Sequence, residues 1–372
     1  MPNFYLGLMS GTSLDGVDGV LVDFAPGESL PLQVRAHAHR AFASELASEL
    51  LALNRSGADE LHRAALAGNA LARVCAAVVS DLLARCGVER HEVKAIGVHG
   101  QTVRHRPREF DATGYTLQLN SPALLAELAE IDVIADFRSR DVAAGGQGAP
   151  LVPAFHRAVF GRAGETVAVL NIGGISNLSA LRADGNTIGF DCGPGNALMD
   201  LWCQRHRGEA FDRDGGWAAS GKILPDLLSR MQAEHYFEQR PPKSTGRDLF
   251  NAEWLDLLLA GTSAQPQDVQ ATLAELTAWA SAEAVQHYAA DARHLLICGG
   301  GALNLHLMSR VAARVATKAV QRTDDWGLPA TQVEAAAFAW LAKAFIERQP
   351  GNIASVTGAA GPRVLGALYP AG

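Results

Sequence analysis

The stretch Gly7-Leu8-Met9-Ser10-Gly11-Thr12-Ser13-Leu14-Asp15-Gly16-Val17-Asp18-Gly19-Val20-Leu21-Val22-Asp23-Phe24 decides how the rest of this chain is read. Phe4 to Met9 is apolar and Val17 to Phe24 alternates with β-branched residues, a pattern that predicts two strands joined by a short turn. Two glycines five residues apart, Gly11 and Gly16, allow positive φ and close approach, and successive N–H groups in such a turn form a concavity for anions. Thr12 and Ser13 add hydroxyl donors. Asp15 can stand beside a phosphate only with a cation between them, most simply hydrated magnesium. The same residues also suit an ordinary hairpin turn. Neither common phosphate loop is present: no lysine lies within the turn, and a strand follows where a dinucleotide-binding loop would have a helix.

The second half of the chain repeats the device. Thr166 to Ile172 reads as a strand, Gly173-Gly174 as a turn and Ile175 to Leu181 as the returning strand, with Ser176, Asn177 and Ser179 as polar positions. Two glycine hairpins about 160 residues apart, each opening an α/β segment, suggest an internal duplication whose hairpins face one another across a cleft. A short strand, Thr187 to Phe190, then ends in Asp191-Cys192-Gly193-Pro194-Gly195-Asn196, ahead of a helix from Ala197 to Arg207. A carboxylate at that place is either a general base facing a cleft or a cap for the turn into the helix. His294 to Cys298 reads as a strand running into Gly299-Gly300-Gly301, with a helix from Asn304, so that the bare backbone can lie flat against a planar ring or a ribose. Val333 to Arg348 is a further helix, with Glu334 in its first turn.

Composition bounds the function class. The 372 residues are 48% hydrophobic and 19% charged, an ordinary balance for a globular enzyme of two domains. A net charge of −7, with no basic cluster interleaved with aromatics, argues against a nucleic-acid partner. No run of about 18 apolar residues and no basic amino-terminal leader stands out, which points to a cytoplasmic protein without a membrane span. The five cysteines form no close pairs and read as reduced packing residues, and the scattered histidines show no zinc-ligand spacing. Glu60 to Arg85 predicts a long amphipathic helix stopped at Gly87, and Val93 to Val98 a buried strand leading into His99-Gly100-Gln101-Thr102. The glycine-rich crossing from Ala143 to Pro153 suggests a boundary, giving lobes at 1–140 and 141–349, with the tail 350–372 packed on the first. Arg138 and Arg140 could clamp a ligand carboxylate, or pair with Asp136 and Asp141.

Taken together, the two hairpins and the strand-glycine-helix element resemble the sugar kinase, Hsp70 and actin superfamily. Within it, Met9-Ser-Gly-Thr-Ser-Leu-Asp-Gly-Val-Asp18, His99-Gly-Gln-Thr102, Ala135-Asp-Phe-Arg138, Gly145-Gly-Gln-Gly-Ala-Pro-Leu-Val-Pro153, Asn171-Ile-Gly-Gly-Ile-Ser-Asn-Leu178, Phe190-Asp191, Gly193-Pro-Gly-Asn196 and Ser355-Val-Thr-Gly358 resemble the 1,6-anhydro-N-acetylmuramic acid kinase family, from residue 5 to about 369. The resemblance implies a two-lobed, actin-like α/β ATPase of ribonuclease H-like duplication with a central nucleotide cleft. It implies ATP and Mg2+ as cofactors, a homodimer, and a cell-wall recycling reaction that opens the anhydro bridge with water and phosphorylates O6. It also implies an ATP segment at Gly11, Thr12, Ser13, Leu14, Asp15, Gly16, Val17 and Asp18, with Gly173, Gly174, Ser176, Asn177 and Gly299, Gly300, Gly301 as further nucleotide contacts. Asp191 would be the catalytic base, Glu334 a second acidic residue near the sugar, and Asp15 the magnesium ligand through water. A kinase for an ordinary free sugar and an ATP-gated clamp are the competing readings.

Overall fold

The opening hairpin forms: β1 (Phe4–Met9) pairs antiparallel with β2 (Gly16–Asp23), from Phe4 opposite Asp23 to Met9 opposite Asp18. The computed structural model describes residues 2–11, 13–25, 31–246, 248–315 and 319–372. Within it the chain divides into two compact units, Met1–Val159 with Gln332–Gly372, and Phe160–Thr331. These limits differ from the glycine-rich crossing. Residues 141–159 and 332–349 go with the first unit, because the helix Val333–Ile346 packs on β1 and its neighbours.

In the first unit, β3 (Gln33–Ala41) extends the hairpin, and β4 (Val93–Val98), β7 (Val133–Ala135) and β13 (Ala367–Tyr369) complete a six-stranded sheet in the order β13-β7-β4-β1-β2-β3. A separate antiparallel pair, β5 (Gln101–Pro107) and β6 (Gly114–Leu119), follows β4. The second unit contains β8 (Val167–Ile172), β9 (Ile175–Leu181), β10 (Thr187–Pro194), β11 (His294–Cys298) and β12 (Ala319–Arg322), ordered β10-β9-β8-β11-β12. The two sheets share one plan. In each, three strands meander antiparallel, a fourth lies parallel to the first, and a fifth lies parallel to the fourth. This repeated topology is the ribonuclease H-like duplication, and the fold is two-unit α/β.

The long helix Glu60–Cys86 lays Leu71, Ala72, Cys75, Val78, Val79 and Leu82 on the first sheet's core. It stops where Gly87 takes a left-handed φ of 61° and returns its N–H to Leu83 O. Length and composition alone would let this helix cross a membrane, but half of its most apolar window is buried against the sheet. The opposite face of that sheet is closed by Val333–Ile346, rich in alanine over Ala335, Ala336, Ala337, Ala339 and Ala342. Small residues on both sides let backbone meet backbone. A Cβ on Gly7 would collide with Ala335 O and come within 2.7 Å of Ala339 N, and one on Gly97 would collide with Phe338 O and lie 2.8 Å from its carbonyl carbon.

Those neighbours are main-chain atoms and cannot swing aside, so one added methyl must displace the helix. Gly97→Ala should therefore lower the unfolding free energy by about 2 kcal/mol or more, near the upper end of ordinary overpacking costs. Urea unfolding checks this, and a midpoint equal to that of the parent protein would show that the helix is not seated against the strand.

Candidate active site

In the first unit the turn proper is Ser10–Asp15, since Gly16, Val17 and Asp18 already lie in β2. Gly16 and Val17 pair with Ala41 and Arg40, the Val17 side chain is buried in the core, and the Asp18 carboxylate contacts His37 Nε2 at 2.9 Å and His39 Nδ1 at 3.3 Å. Thr12 lies outside the described residues. Positive φ was expected at Gly11 and Gly16 but falls on Leu14, at 58°. Its side chain explains why: it packs against Leu50, Leu53, Ala67 and Val103, and that burial offsets the strain of a left-handed leucine. Ser13 Oγ donates to Asp15 Oδ1 at 2.7 Å, and both residues face solvent.

Behind this turn stands a buried polar chain. Arg138 donates through Nε and Nη2 to His99 Nε2, at 3.1 and 3.0 Å. An arginine only donates, so Nδ1 carries the His99 hydrogen, and Ser10 O accepts it at 3.2 Å. Burial first, and the Arg138 charge second, push the His99 pKa down to about 3, so the ring is neutral at physiological pH. Gln101 accepts from Ser10 Oγ and donates to Gly11 O at 3.1 Å. Arg138 also donates to Gly148 O at 2.7 Å. Asp141 is fully buried and accepts from Gly148 N at 2.8 Å, Asn352 Nδ2 at 2.6 Å and Thr357 Oγ1 at 2.7 Å. Beside the two roles left open for Arg138, ligand clamp or partner of Asp136 and Asp141, the structure gives it a bracing one: it holds the first turn through His99. Arg140 is exposed on the short helix Ser139–Ala143.

The second unit brings several expected residues together. Asn171 pairs with Asn177 across β8 and β9, and Asn177 pairs with Asp191 across β9 and β10, so the three side chains lie in one row on one face of the sheet. Asp191 was expected at a strand end. The strand instead continues to Pro194, with a bulge between Asp191 and Gly193, whose φ of 151° belongs to glycine. The Gly173-Gly174 turn is held from one side: Asn196 N donates to Gly173 O at 2.8 Å, and Gly195 N and Ala197 N donate to Gly174 O at 2.9 and 3.1 Å. A trans peptide points its N–H opposite to its C=O, so the Gly174 and Ile175 N–H groups face away from that segment. Ser176 was expected among the donors to nucleotide. It is fully buried, its Oγ has no hydrogen-bond partner among the described residues, and a Cβ on Gly195 would lie 3.0 Å from it, so it faces the start of the helix Ala197–Arg207.

The turn after β11 packs on the same corner. Gly299 has a φ of 80°, and a Cβ there would strike Asn171 Oδ1, while Gly301 abuts Ile172. Gly300–Leu303 forms a 3-10 turn, and the α-helix begins only at Leu305, capped by Asn304 Oδ1, which accepts from Leu307 N at 2.9 Å. Gly173 and Gly300 differ from these packed glycines. Neither has a left-handed φ, and an added Cβ would meet only Ile175 O at 3.6 Å in the first case and Asn196 Nδ2 at 3.6 Å in the second. Gly11 behaves likewise, with only Ser13 Oγ at 3.7 Å. At these three positions the described residues leave room beside the Cα.

Asp191 itself is held on three sides. Its N–H donates to Lys243 O at 3.3 Å, its C=O accepts from Tyr236 Oη at 2.6 Å, and its Oδ2 accepts from Thr245 N at 3.0 Å. Burial pushes the Tyr236 and Cys192 pKa values well above their ordinary ranges, with the Asp191 charge adding to both, so these neighbours stay protonated beside it. The segment from Tyr236 to Thr245 carried no signal in the sequence, because its role depends on lying along the edge strand β10. Glu334 belongs to the first unit, half-exposed in the first turn of Val333–Ile346. Asp15 is a lone exposed carboxylate, and no group of three metal-ligating side chains occurs among the described residues. That fits a magnesium ion held mainly by phosphates and water.

The family model described as anhydro-N-acetylmuramic acid kinase matches residues 3–371. The anhydro-N-acetylmuramic acid kinase of Variovorax paradoxus is 62% identical over 373 residues, covering 99% of both chains. That of Cupriavidus metallidurans is 58% identical, covering 98% of this chain and 97% of its own. Among solved structures, the activator of the 2-hydroxyisocaproyl-CoA dehydratase from Clostridium difficile is similar over 90% of this chain and 92% of that one, at 12% identity and a TM-score of 0.45. With a family model spanning nearly every residue and relatives this similar along their full length, the chain belongs to the anhydro-N-acetylmuramic acid kinase family.

Proposed function

We propose that this enzyme opens the 1,6-anhydro ring of 1,6-anhydro-N-acetylmuramic acid with water and phosphorylates the freed O6 from ATP, giving N-acetylmuramate 6-phosphate and ADP in cell-wall recycling. The observation that carries the reading is Asp191, a carboxylate anchored at a β-bulge in the same sheet corner as the Gly173-Gly174 turn and Gly300. In the reaction, Asp191 takes a proton from water as the water oxygen bonds to C1 and the C1–O6 bond breaks, the role of the base in inverting glycoside hydrolysis. The O6 oxygen then bonds to the γ-phosphorus, and the bond to the β-phosphate oxygen breaks. No separate acid is needed at O6, since phosphorus receives the electron pair that a proton would otherwise receive.

The remaining residues bind and orient. Main-chain N–H groups at Gly174 and Ile175, and the turn Ser10–Asp15, supply donors for phosphate oxygens, preorganised by the hydrogen bonds behind them. Within Gly299–Gly301, Gly300 offers bare backbone to the nucleoside. Glu334 contributes a second carboxylate toward the sugar. Mg2+, held through water by Asp15, supplies the charge neutralisation that phosphoryl transfer requires. The enzyme works in the cytoplasm as a homodimer, a state that sedimentation velocity tests directly.

Incubation with ATP, Mg2+ and the anhydro sugar in heavy-oxygen water should place one heavy oxygen on C1 of the product and none in its phosphate, as read by mass spectrometry. Label in the phosphate, or turnover of plain N-acetylmuramate at the same rate, would sink the coupled mechanism. Asp191→Asn should fold, bind ATP in calorimetry, and lose at least about a hundredfold in turnover, the range for loss of a general base. Gly300→Ala should leave the melting temperature unchanged but weaken ATP at least about tenfold, because the methyl group enters space the protein itself does not use. Equal ATP affinity would remove Gly300 from the nucleotide site.

A further inference from the structure

In the row Asn171, Asn177 and Asp191, the middle side chain stands apart from the other two. Asn171 is 2% exposed, and its Oδ1 accepts from Cys298 Sγ at 3.8 Å, packed against the bare Gly299. Asp191 Oδ2 accepts from Thr245 N at 3.0 Å. Asn177 Oδ1, between them, is buried and has no hydrogen-bond partner among the described residues. A buried carbonyl oxygen without a donor costs free energy, and a folded protein keeps one where a ligand or substrate group supplies the missing hydrogen.

Strand geometry sets this acceptor beside the carboxylate. Asn177 and Asp191 are direct partners across β9 and β10. Asp191 turns both of its main-chain groups outward, its N–H donating to Lys243 O at 3.3 Å and its C=O accepting from Tyr236 Oη at 2.6 Å. Neither group is spent on β9, so the pair is of the non-hydrogen-bonded kind, in which Cα atoms stand about 4.5 Å apart and the side chains lean together on one face. A carboxylate and a carboxamide oxygen so placed are two acceptors with no donor between them. A water molecule has two hydrogens and satisfies both.

We propose that Asn177 holds the attacking water, accepting one of its hydrogens through Oδ1 while Asp191 takes the other. The proposal rests on Asp191 being the base. As the water oxygen bonds to C1, the C1–O6 electron pair leaves with O6 and one proton passes to Asp191. The second hydrogen stays on the new anomeric hydroxyl, still bonded to Asn177 Oδ1. Fixing both hydrogens aims a lone pair of the water oxygen at C1, the gain expected of an oriented reactant. A carboxamide suits this place because it accepts a hydrogen bond without competing for the proton, as a second carboxylate would. Asn177 thus serves the water, although its place in the second hairpin grouped it with the nucleotide contacts.

Methanol separates this role from a structural one, because its hydroxyl carries one hydrogen where water carries two. The parent enzyme, Asn177→Ala, Asn177→Asp and Asp191→Asn are incubated with ATP, Mg2+ and the anhydro sugar in water containing methanol. Mass spectrometry then reads the ratio of O-methylated to free sugar phosphate. Asn177→Ala should lower kcat/KM for the sugar about tenfold, the worth of one hydrogen bond. It should also raise the methylated fraction at least about tenfold over the parent's, and leave the ATP affinity in calorimetry unchanged. Asn177→Asp retains an acceptor and should hold the parent's ratio even as its added charge slows turnover. If Asn177→Ala does not fold, Asn177→Val, a residue suited to strands, carries the same measurement. A methylated fraction that stays at the parent's in Asn177→Ala, or rises as far in Asn177→Asp, overturns the proposal, and about a tenfold loss of ATP affinity returns Asn177 to the nucleotide. Near-full activity in Asp191→Asn would instead remove the base itself and this role with it, so the two failures are told apart.

Discussion

The constraint on which the first unit depends is the bare contact between the helix Val333–Ile346 and the strands β1 and β4. Glycine at 7 and 97, facing alanine-rich helix, lets main chain approach main chain with no side chain between. That contact joins the start of the chain to its last forty residues and makes the unit discontinuous in sequence. It also seats Phe338 4.8 Å from the His99 ring and 5.7 Å from Phe137, so the same helix that presents Glu334 at its first turn packs against the imidazole that braces Ser10. A shift of that helix would be felt at the first turn.

The polar chain running from Ser10 through His99, Arg138 and Gly148 to Asp141 is costly unless complete. Each buried group has its partner: the arginine reaches a neutral ring nitrogen and a carbonyl, and the fully buried carboxylate gathers three donors. Such a network specifies one arrangement, because losing any member strands the others in a low-dielectric interior. It ties together segments near residues 10, 99, 138, 148 and 357 and fixes the backbone of the first turn.

The second unit solves a related problem with an irregular strand. The bulge before Gly193 re-aims the chain at Asp191 while Asn177 and Asn171 keep the row of polar side chains on one face. Duplicated topology thus carries different cargo. The first sheet is braced from behind by a hydrogen-bonded core, and the second is edged by the Tyr236–Thr245 segment that grips the carboxylate.

Much of this was legible in the residues. The strands at 93–98, 175–181 and 294–298, both hairpins, and the stop at Gly87 follow from local chemistry: β-branched alternation, glycine punctuation and a left-handed cap act over a few residues. Asp191 and the open glycines stood out because their neighbours in the chain are unusual. The limits of the units, the left-handed Leu14, the burial of Ser176, the bulge at Asp191, the bracing role of Arg138 and the place of Lys243 were not legible. Each depends on partners far away in the chain: Arg138 lies 39 residues from His99, Thr245 54 residues from Asp191, and Thr357 216 residues from Asp141. Local sequence determines which dihedral angles and periodicities are favourable. Which donor satisfies which buried acceptor is decided only when the sheets and helices close and the alternative partner, water, is excluded.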